Sequence, residues 1–215
     1  MNWLLIGGVL LVAYLLGSLS GSLLVGRVRG VDVRNVGSGN AGGTNALRTQ
    51  GWRFAVPAVL VDVGKGMLAV WLAGQTAQSA DDRQMFAMAA GAAAVLGHVW
   101  PVFFGFRGGK GAATVVGVLL MLWPLVLLPL IGAWIIVMLC TGYVGLATIL
   151  ASLVLIPCVC WGAPPAPVLP WQYACVIIPA FLIFTHRDNL RRLRAGSENR
   201  FERVRLIGRW LDRRR

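Results

Sequence analysis

An all-α integral membrane protein with seven transmembrane helices, its N-terminus outside and its C-terminus cytoplasmic, is the architecture this 215-residue sequence predicts. Hydrophobic residues make up 57% of the chain and charged residues only 13%, against about 25% charged in an ordinary soluble domain. The apolar residues lie in long unbroken runs, such as Trp3 to Leu24 and Phe54 to Gly74, and about 20 apolar residues carry a helix across a bilayer core. The basic residues gather between those runs. Of 20 Lys and Arg, five lie between Arg27 and Arg53, two are Arg107 and Lys110, and eleven lie from Arg187 to Arg215. The remaining two are Lys65, inside an apolar run, and Arg83. Basic residues confined to alternate loops place those loops inside the cell.

The first span runs from about Trp3 to Leu24. Small residues near its end, Gly17, Ser18, Ser20, Gly21 and Ser22, resemble a signal-peptide cleavage region, but no basic n-region precedes the run and its arginines follow it. It is therefore read as a span. A long polar loop reaches Arg53, and a second span ends at Gly74. Gln75 to Arg83, with Asp81 and Asp82, suits an outside loop, and a third span covers Gln84 to Phe104. Pro124 divides the next stretch, because proline disfavours continuing a helix. A short span from Gly111 to Trp123 is followed by another from Leu125 to Cys140. The short one, about 13 residues long, crosses a bilayer only if tilted or partly re-entrant. A sixth span lies between Tyr143 and Trp161, the Pro-rich segment Gly162 to Pro170 forms an outside loop, and the last span runs from Trp171 to Phe184. No internal repeat is visible, so the inverted-repeat mark of many transporters is lacking.

Residues 1–199 are thus expected to form one seven-span domain with inside loops at 37–48, 97–114 and 185–199, and residues 200–215 a basic amphipathic tail. In that tail Phe201, Val204, Ile207, Trp210 and Leu211 would share one helical face, a pattern held to a membrane by apolar burial and anionic lipid. Membrane lipids are therefore expected partners. The net charge of +12 does not indicate nucleic acid, because neither interleaved aromatics nor a recognition element accompanies it. Cys140, Cys158, Cys160 and Cys175 sit in apolar runs without CxxC spacing and are expected as buried thiols, with no metal site.

The three inside loops carry the chemistry. GSGNAGGTNALR, Gly37 to Arg48, has glycines that let successive backbone N–H groups point into one concavity, a nest suited to phosphate. Ser38, Thr44 and Asn45 add side-chain donors there, and Arg48 a forked cation. An ordinary flexible loop has the same composition. GHVWPVFFGFRGGKGAAT, Gly97 to Thr114, sets Arg107 and Lys110 around a Gly pair. It is not a Walker A loop, since Lys110 is followed by Gly111 rather than Ser or Thr, so ATP hydrolysis is not indicated. An anion-closing turn and a basic membrane flank both remain open. In THRDNLRRLRAGSEN, Thr185 to Asn199, His186 and Asn189 would share a face if the last helix continues, and Glu198 would brace a nearby arginine. Within the spans, Asp62 and Lys65 stand three residues apart, as an ion pair or as a site wall. Thr148 either offers a hydroxyl to a site or bonds its own helix.

Together these segments resemble the three motifs of the bacterial acyl-phosphate:glycerol-3-phosphate acyltransferase family, a membrane-integral family, in order, length and placement against the spans. The resemblance covers the chain to about Asn199. Gly43 stands where the family usually has Ala and Arg107 where Lys is common, and Lys and Arg are not interchangeable at a phosphate. The resemblance implies seven spans in the bacterial cytoplasmic (inner) membrane, a cytoplasm-facing site, no cofactor, and acyl phosphate rather than acyl-CoA or acyl carrier protein as donor. The product would be lysophosphatidic acid, in the first acylation of phospholipid biosynthesis. By the same resemblance, Ser38, Asn40, Gly42, Gly43, Thr44 and Asn45 would hold the acyl phosphate. Arg48, Lys110 and His186, with Thr148, would hold glycerol 3-phosphate. Asn189 would lie near the reacting carbonyl and Glu198 would be structural, so that Ser38, Arg48, Lys110, His186 and Asn189 would carry catalysis.

An already activated donor needs alignment and stabilisation of the departing phosphate rather than a Ser-His-Asp triad. The HxxxxD acyltransferase motif is missing as well: five residues after His98 comes Phe103, and five after His186 comes Arg191. Two rivals use the same residues. A transporter of a small phosphorylated anion would carry polar residues through the bilayer depth. A structural membrane protein would leave the glycine-rich loops without a purpose.

Overall fold

The computed structural model describes residues 3–76 and 80–212. Helices account for nearly all of the regular structure there, in two compact units, Met1–Pro124 and Leu125–Arg215.

The first unit contains α1 (Trp3–Gly17), α2 (Gly21–Arg29), α3 (Gly43–Gln50), α4 (Trp52–Thr76), α5 (Ala80–Val99) and α6 (Ala112–Leu122). Short 3-10 turns at Val33–Asn35 and Val102–Phe104 shape its loops. The expected first span is broken. α1 and α2 meet at 47° across Ser18–Ser20, where Ser20 is extended and the Ser18 hydroxyl bonds back to the Tyr14 carbonyl at 2.9 Å. α5 begins at Ala80, so Asp81 and Asp82 start a helix instead of filling a loop. Residues 77–79 of that expected loop lie outside the described residues.

Small residues set the helix spacing. A methyl on Gly117 of α6 would strike the Val63 carbonyl of α4, and one on Gly66 would stand 2.5 Å from the Thr114 carbonyl. Backbones come this close in membrane proteins because packing, not water exclusion, holds the helices together.

The second unit contains α7 (Leu127–Thr141), α8 (Val144–Leu153), α9 (Leu155–Trp161), α10 (Leu169–Thr185), α11 (Arg187–Arg194) and α12 (Leu206–Asp212). α7 turns into α8 at Gly142, whose φ of 73° favours glycine. α10 and α11 meet at 58°, so the last helix does not continue straight through His186. The tail is helical only from Leu206; Phe201 and Val204 precede that helix and do not share its face. The Phe201 N–H instead donates to the Gly142 carbonyl at 2.9 Å, and Gly208 packs on the Cys140 carbonyl. Arg213, Arg214 and Arg215 lie outside the described residues.

Four segments are long and apolar enough to cross a membrane: Trp52–Thr76, Arg83–Phe104, Pro124–Thr141 and Val144–Trp161. The two bent pairs bring the number to six, while Ala112–Leu122, at 11 residues, is shorter. Large apolar side chains such as Leu60, Trp71, Leu128, Ile136 and Val176 are exposed along these helices, as side chains meeting lipid are. Of the cysteines only Cys175 is buried; Cys160 is exposed and Cys140 and Cys158 are half-buried. The expectation of four buried thiols therefore fails for three, because an apolar helix facing lipid does not need to hide a thiol.

Candidate active site

In the first unit the motif loop from Gly37 to Arg48 folds into a turn feeding a helix. Gly37 and Gly39 take φ of 61° and 71°, left-handed values natural to glycine. Not all N–H groups of this turn face outward. The Ser38 N–H donates to Asn45 Oδ1 at 2.9 Å and the Gly39 N–H to the Val36 carbonyl at 3.2 Å. Asn45 is buried, and its Nδ2 donates to the carbonyls of Val33 at 2.8 Å and Val36 at 3.0 Å. An amide has two N–H groups, so the Asn45 donors serve the loop itself and not an anion. Thr44, Asn45 and Arg48 lie on α3 rather than in a loop.

The anion-competent feature is the start of α3. Gly42 is its N-cap and no side chain caps the first turn. Gly43, Thr44 and Asn45 therefore present backbone N–H groups that no earlier helical carbonyl reaches, at the positive end of the helix dipole. The Asn40 amide nitrogen sits over Gly42, 2.6 Å from where a methyl would stand. Gly43 packs against the Val59 side chain of α4. Ser38, Asn40 and Arg48 are each half-buried.

The second motif loop builds a parallel arrangement. Gly111, at φ 89°, caps α6, again without a side-chain cap, and half-buried Lys110 directly precedes it. The N–H groups of Gly108 and Gly109 donate to the Val99 and His98 carbonyls, both at 3.1 Å. These bonds fold the turn back on the end of α5. The two loops meet where a methyl on Gly109 would lie 3.1 Å from the Ala41 carbonyl.

Arg34 joins the same two loops and was missed from the sequence. Its guanidinium takes Asp32 in a forked pair, Nη2 to Oδ2 2.7 Å and Nε to Oδ1 3.0 Å, and Nη1 donates to the Phe104 carbonyl at 2.9 Å. The hydrogen bond from the Arg34 side chain holds the Asp32 carboxyl below its ordinary value and raises that of Arg34. Deeper in the unit, Asp62 and Lys65 form an ion pair at 2.9 Å, the simpler of the two expected readings, with His98 Nδ1 3.2 Å from Asp62 Oδ1.

In the second unit, His186 occupies the bend between α10 and α11, with Nδ1 2.8 Å from the Leu182 carbonyl. A carbonyl only accepts, so Nδ1 carries a proton, and in the neutral ring Nε2 is an acceptor. Glu198 links two motif residues: Asn189 Nδ2 donates to Oε1 at 2.6 Å and Arg192 Nε to Oε2 at 2.7 Å. Asn189 packs on Gly145 of α8, where a methyl would lie 2.9 Å from its Cβ. The Thr148 hydroxyl donates to the Val144 carbonyl at 2.9 Å and accepts from Trp134 Nε1 at 3.4 Å. Among the described residues no group of three His, Cys, Asp or Glu side chains lies together to hold a metal.

These features define an integral membrane protein of packed helices whose glycine-rich loops present two uncapped helix starts, the second directly after Lys110. A family model for glycerol-3-phosphate acyltransferases matches residues 7–196. The glycerol-3-phosphate acyltransferase of Halalkalibacterium halodurans is 42% identical over 211 residues, covering 94% of this chain and 97% of its own. That of Gloeobacter violaceus is 40% identical over 201 residues, covering 92% and 96%. Among solved structures, the glycerol 3-phosphate form of PlsY (YgiH), an integral membrane glycerol 3-phosphate acyltransferase, superposes with a TM-score of 0.82 at 35% identity, covering 94% of this chain and 98% of that one. Its lysophosphatidic acid form gives 0.81 at 34%. The chain belongs to the glycerol-3-phosphate acyltransferase family.

Proposed function

We propose that this chain transfers a fatty acyl group from acyl phosphate to the sn-1 hydroxyl of glycerol 3-phosphate, giving lysophosphatidic acid and inorganic phosphate, on the cytoplasmic side of a bacterial inner membrane. The single observation that supports it most is the pair of helix starts, at Gly42 and at Gly111, that carry no side-chain cap, the second directly preceded by Lys110 and the first leading into the helix whose last turn carries Arg48. Phosphate is the ligand such N-termini favour. In this reading the chain crosses the membrane seven times with its N-terminus outside, α6 being the short crossing, and residues 200–215 form a basic anchor on lipid.

Ser38, Asn40, Gly42, Gly43 and Thr44 hold the donor's phosphate, chiefly through the first-turn N–H groups of α3. Asn45 contributes its backbone N–H while its side chain keeps the turn in shape. Arg48, Lys110, Thr148 and His186 serve glycerol 3-phosphate, Asn189 lies near the reacting carbonyl, and Glu198 is structural. The acyl carbonyl carbon forms a bond to the glycerol hydroxyl oxygen as its bond to the phosphate oxygen breaks. The hydroxyl proton passes to the departing phosphate, so that the protein's work is alignment and charge stabilisation. His186, with Nδ1–H tied to Leu182, positions the hydroxyl through Nε2.

Purified protein given palmitoyl phosphate and radiolabelled glycerol 3-phosphate should form lysophosphatidic acid. Uptake of label into liposomes without product would overturn the assignment in favour of transport. His186→Gln should weaken glycerol 3-phosphate binding; normal affinity with lost turnover and a pH profile stripped of an imidazole would make His186 the base instead.

A further inference from the structure

The buried charges of α4 reach the Arg107–Gly111 turn through one imidazole. Asp62 and Lys65 are 1% and 5% exposed, and a charge at such a position is costly unless paired. Lys65 Nζ lies 2.9 Å from Asp62 Oδ1, 3.1 Å from the Leu19 carbonyl and 2.9 Å from His98 Nδ1. His98 Nδ1 lies between Lys65 Nζ at 2.9 Å and Asp62 Oδ1 at 3.2 Å; an ammonium has three hydrogens and no lone pair, so beside a protonated Lys65 the closer contact makes Nδ1 the acceptor. The proton of the neutral His98 ring is then on Nε2, the edge that faces the motif loops. That edge lies against Gly109: a methyl there would collide with Nε2, stand 2.8 Å from Cε1 and stand 3.1 Å from the Ala41 carbonyl. Asp62 Oδ1 meanwhile accepts the Gly21 N–H at 3.0 Å, and the Ser22 hydroxyl donates to the Ala41 carbonyl at 2.8 Å. The ring, 3% exposed, is thus clamped on one side by an ion pair and fills, on the other, the seam where the two loops touch. Lys110 is the next residue after Gly109.

We propose that His98, locked by Asp62 and Lys65, is a positioning residue for Lys110: it sets the turn that presents the lysine to glycerol 3-phosphate without touching substrate. An ion pair needing only neutralisation would be complete with Asp62 and Lys65. The third member aims its far edge at the one turn where the placement of the backbone decides where a cation points. Partners that orient the ligands of a bound metal act in this way, and their loss typically lowers affinity or activity by about 10- to 100-fold, the scale expected for a residue that orients a phosphate-binding cation. The proposal rests on the reading that Lys110 binds the phosphate of glycerol 3-phosphate.

The test uses the full chain in detergent, with KM and kcat for glycerol 3-phosphate measured at saturating palmitoyl phosphate and thermal unfolding followed alongside. His98→Asn keeps an amide near the Nδ1 position, facing the Asp62–Lys65 pair, but falls short of Gly109. It should unfold close to the wild type, raise KM about tenfold or more, and change kcat less. A wild-type KM in His98→Asn overturns the proposal. Where His98→Asn does not fold, His98→Gln reaches Gly109 without the anchoring Nδ1; a raised KM supports the proposal and an unchanged one overturns it. Failure of both variants to fold makes His98 structural and also overturns it. Lys110→Ala separates the two readings. A KM unchanged by that substitution removes the Lys110 assignment and this proposal with it, whereas a KM raised by Lys110→Ala but not by either His98 variant overturns the positioning role alone.

Discussion

The carbonyl of Phe104 accepts a hydrogen bond at 2.9 Å from the guanidinium of Arg34, so the turn carrying Arg107 and Lys110 is fastened to the loop that precedes α3. The fork on Asp32 leaves Nη1 pointing at that carbonyl. Lysine has the charge but not the planar fork and does not make both contacts in this geometry. Arg34→Lys should therefore lose about 1–3 kcal/mol of stability and raise the KM for glycerol 3-phosphate. Unfolding by a thiol-reactive dye or by light scattering, measured beside steady-state kinetics, checks both. A variant as stable and as active as the wild type would show the fastening to be idle.

The same pair predicts an acid limb. Asp32 is held below its ordinary carboxylate value, first by the side-chain hydrogen bond from Arg34. A carboxylate depressed in the folded state contributes its full stability above the unfolded value, about 3.9. It loses that contribution as pH falls through the lower folded value. The stability difference between the wild type and Asp32→Asn should thus be level from neutral pH down to about 5 and then shrink on further acidification. The group is partly exposed, so the limb is shallow and shortens further in high salt. A difference that grew below pH 5 would contradict the pairing.

Asn45 separates a donor to substrate from a brace of the fold. Its amide donates to two buried carbonyls and its oxygen accepts the Ser38 N–H. Asn45→Asp turns a donor pair into an acceptor facing the Val33 and Val36 carbonyls. The expected loss is about 2–4 kcal/mol, since unsatisfied buried groups cost more than the bond itself contributes. Activity should fall with the folded fraction, and the KM of surviving enzyme for acyl phosphate should stay near normal. A large KM change at unaltered stability would return Asn45 to the donor site.

The apolar helices and the family were legible because they rest on local signals: run length and motif order. Most helix ends fell within a few residues of the expected ones. The break at Ser18–Ser20 was not seen, because an apolar run shows length but not direction, and nothing in the run marks Ser20 as the residue that turns extended. The Asp62–Lys65 pair was visible from its i,i+3 spacing, and its third member was not. His98 is far along the chain, and no periodicity links residues on two helices. Arg34 was one more basic residue in a basic loop until its bond to Phe104 distinguished it. The tail misled through its regular spacing: Phe201 and Val204 fit a helical face, but the Phe201 N–H bonds to Gly142 and the helix starts only at Leu206.

Glu198 and Asn189 test whether a motif residue is structural or catalytic when the two are bonded. The Glu198 carboxylate, 5% exposed, accepts from Asn189 at 2.6 Å and from Arg192 at 2.7 Å. Glu198→Gln forces an NH2 group against one of those donors and removes the charge opposite Arg192, which should cost about 2–3 kcal/mol. Asn189→Ala removes one donor but leaves the Glu198–Arg192 pair, so its cost should be nearer 1 kcal/mol. The two variants should then divide. Glu198→Gln loses activity in step with its folded fraction, while Asn189→Ala stays folded and loses turnover by about 100-fold, the scale at which a donor to a developing oxyanion acts. Circular dichroism melts and turnover per folded molecule decide it. Were Asn189→Ala to melt as early as Glu198→Gln, with normal turnover in the molecules that remain folded, the amide would be a strut of α11 and some other group would serve the carbonyl.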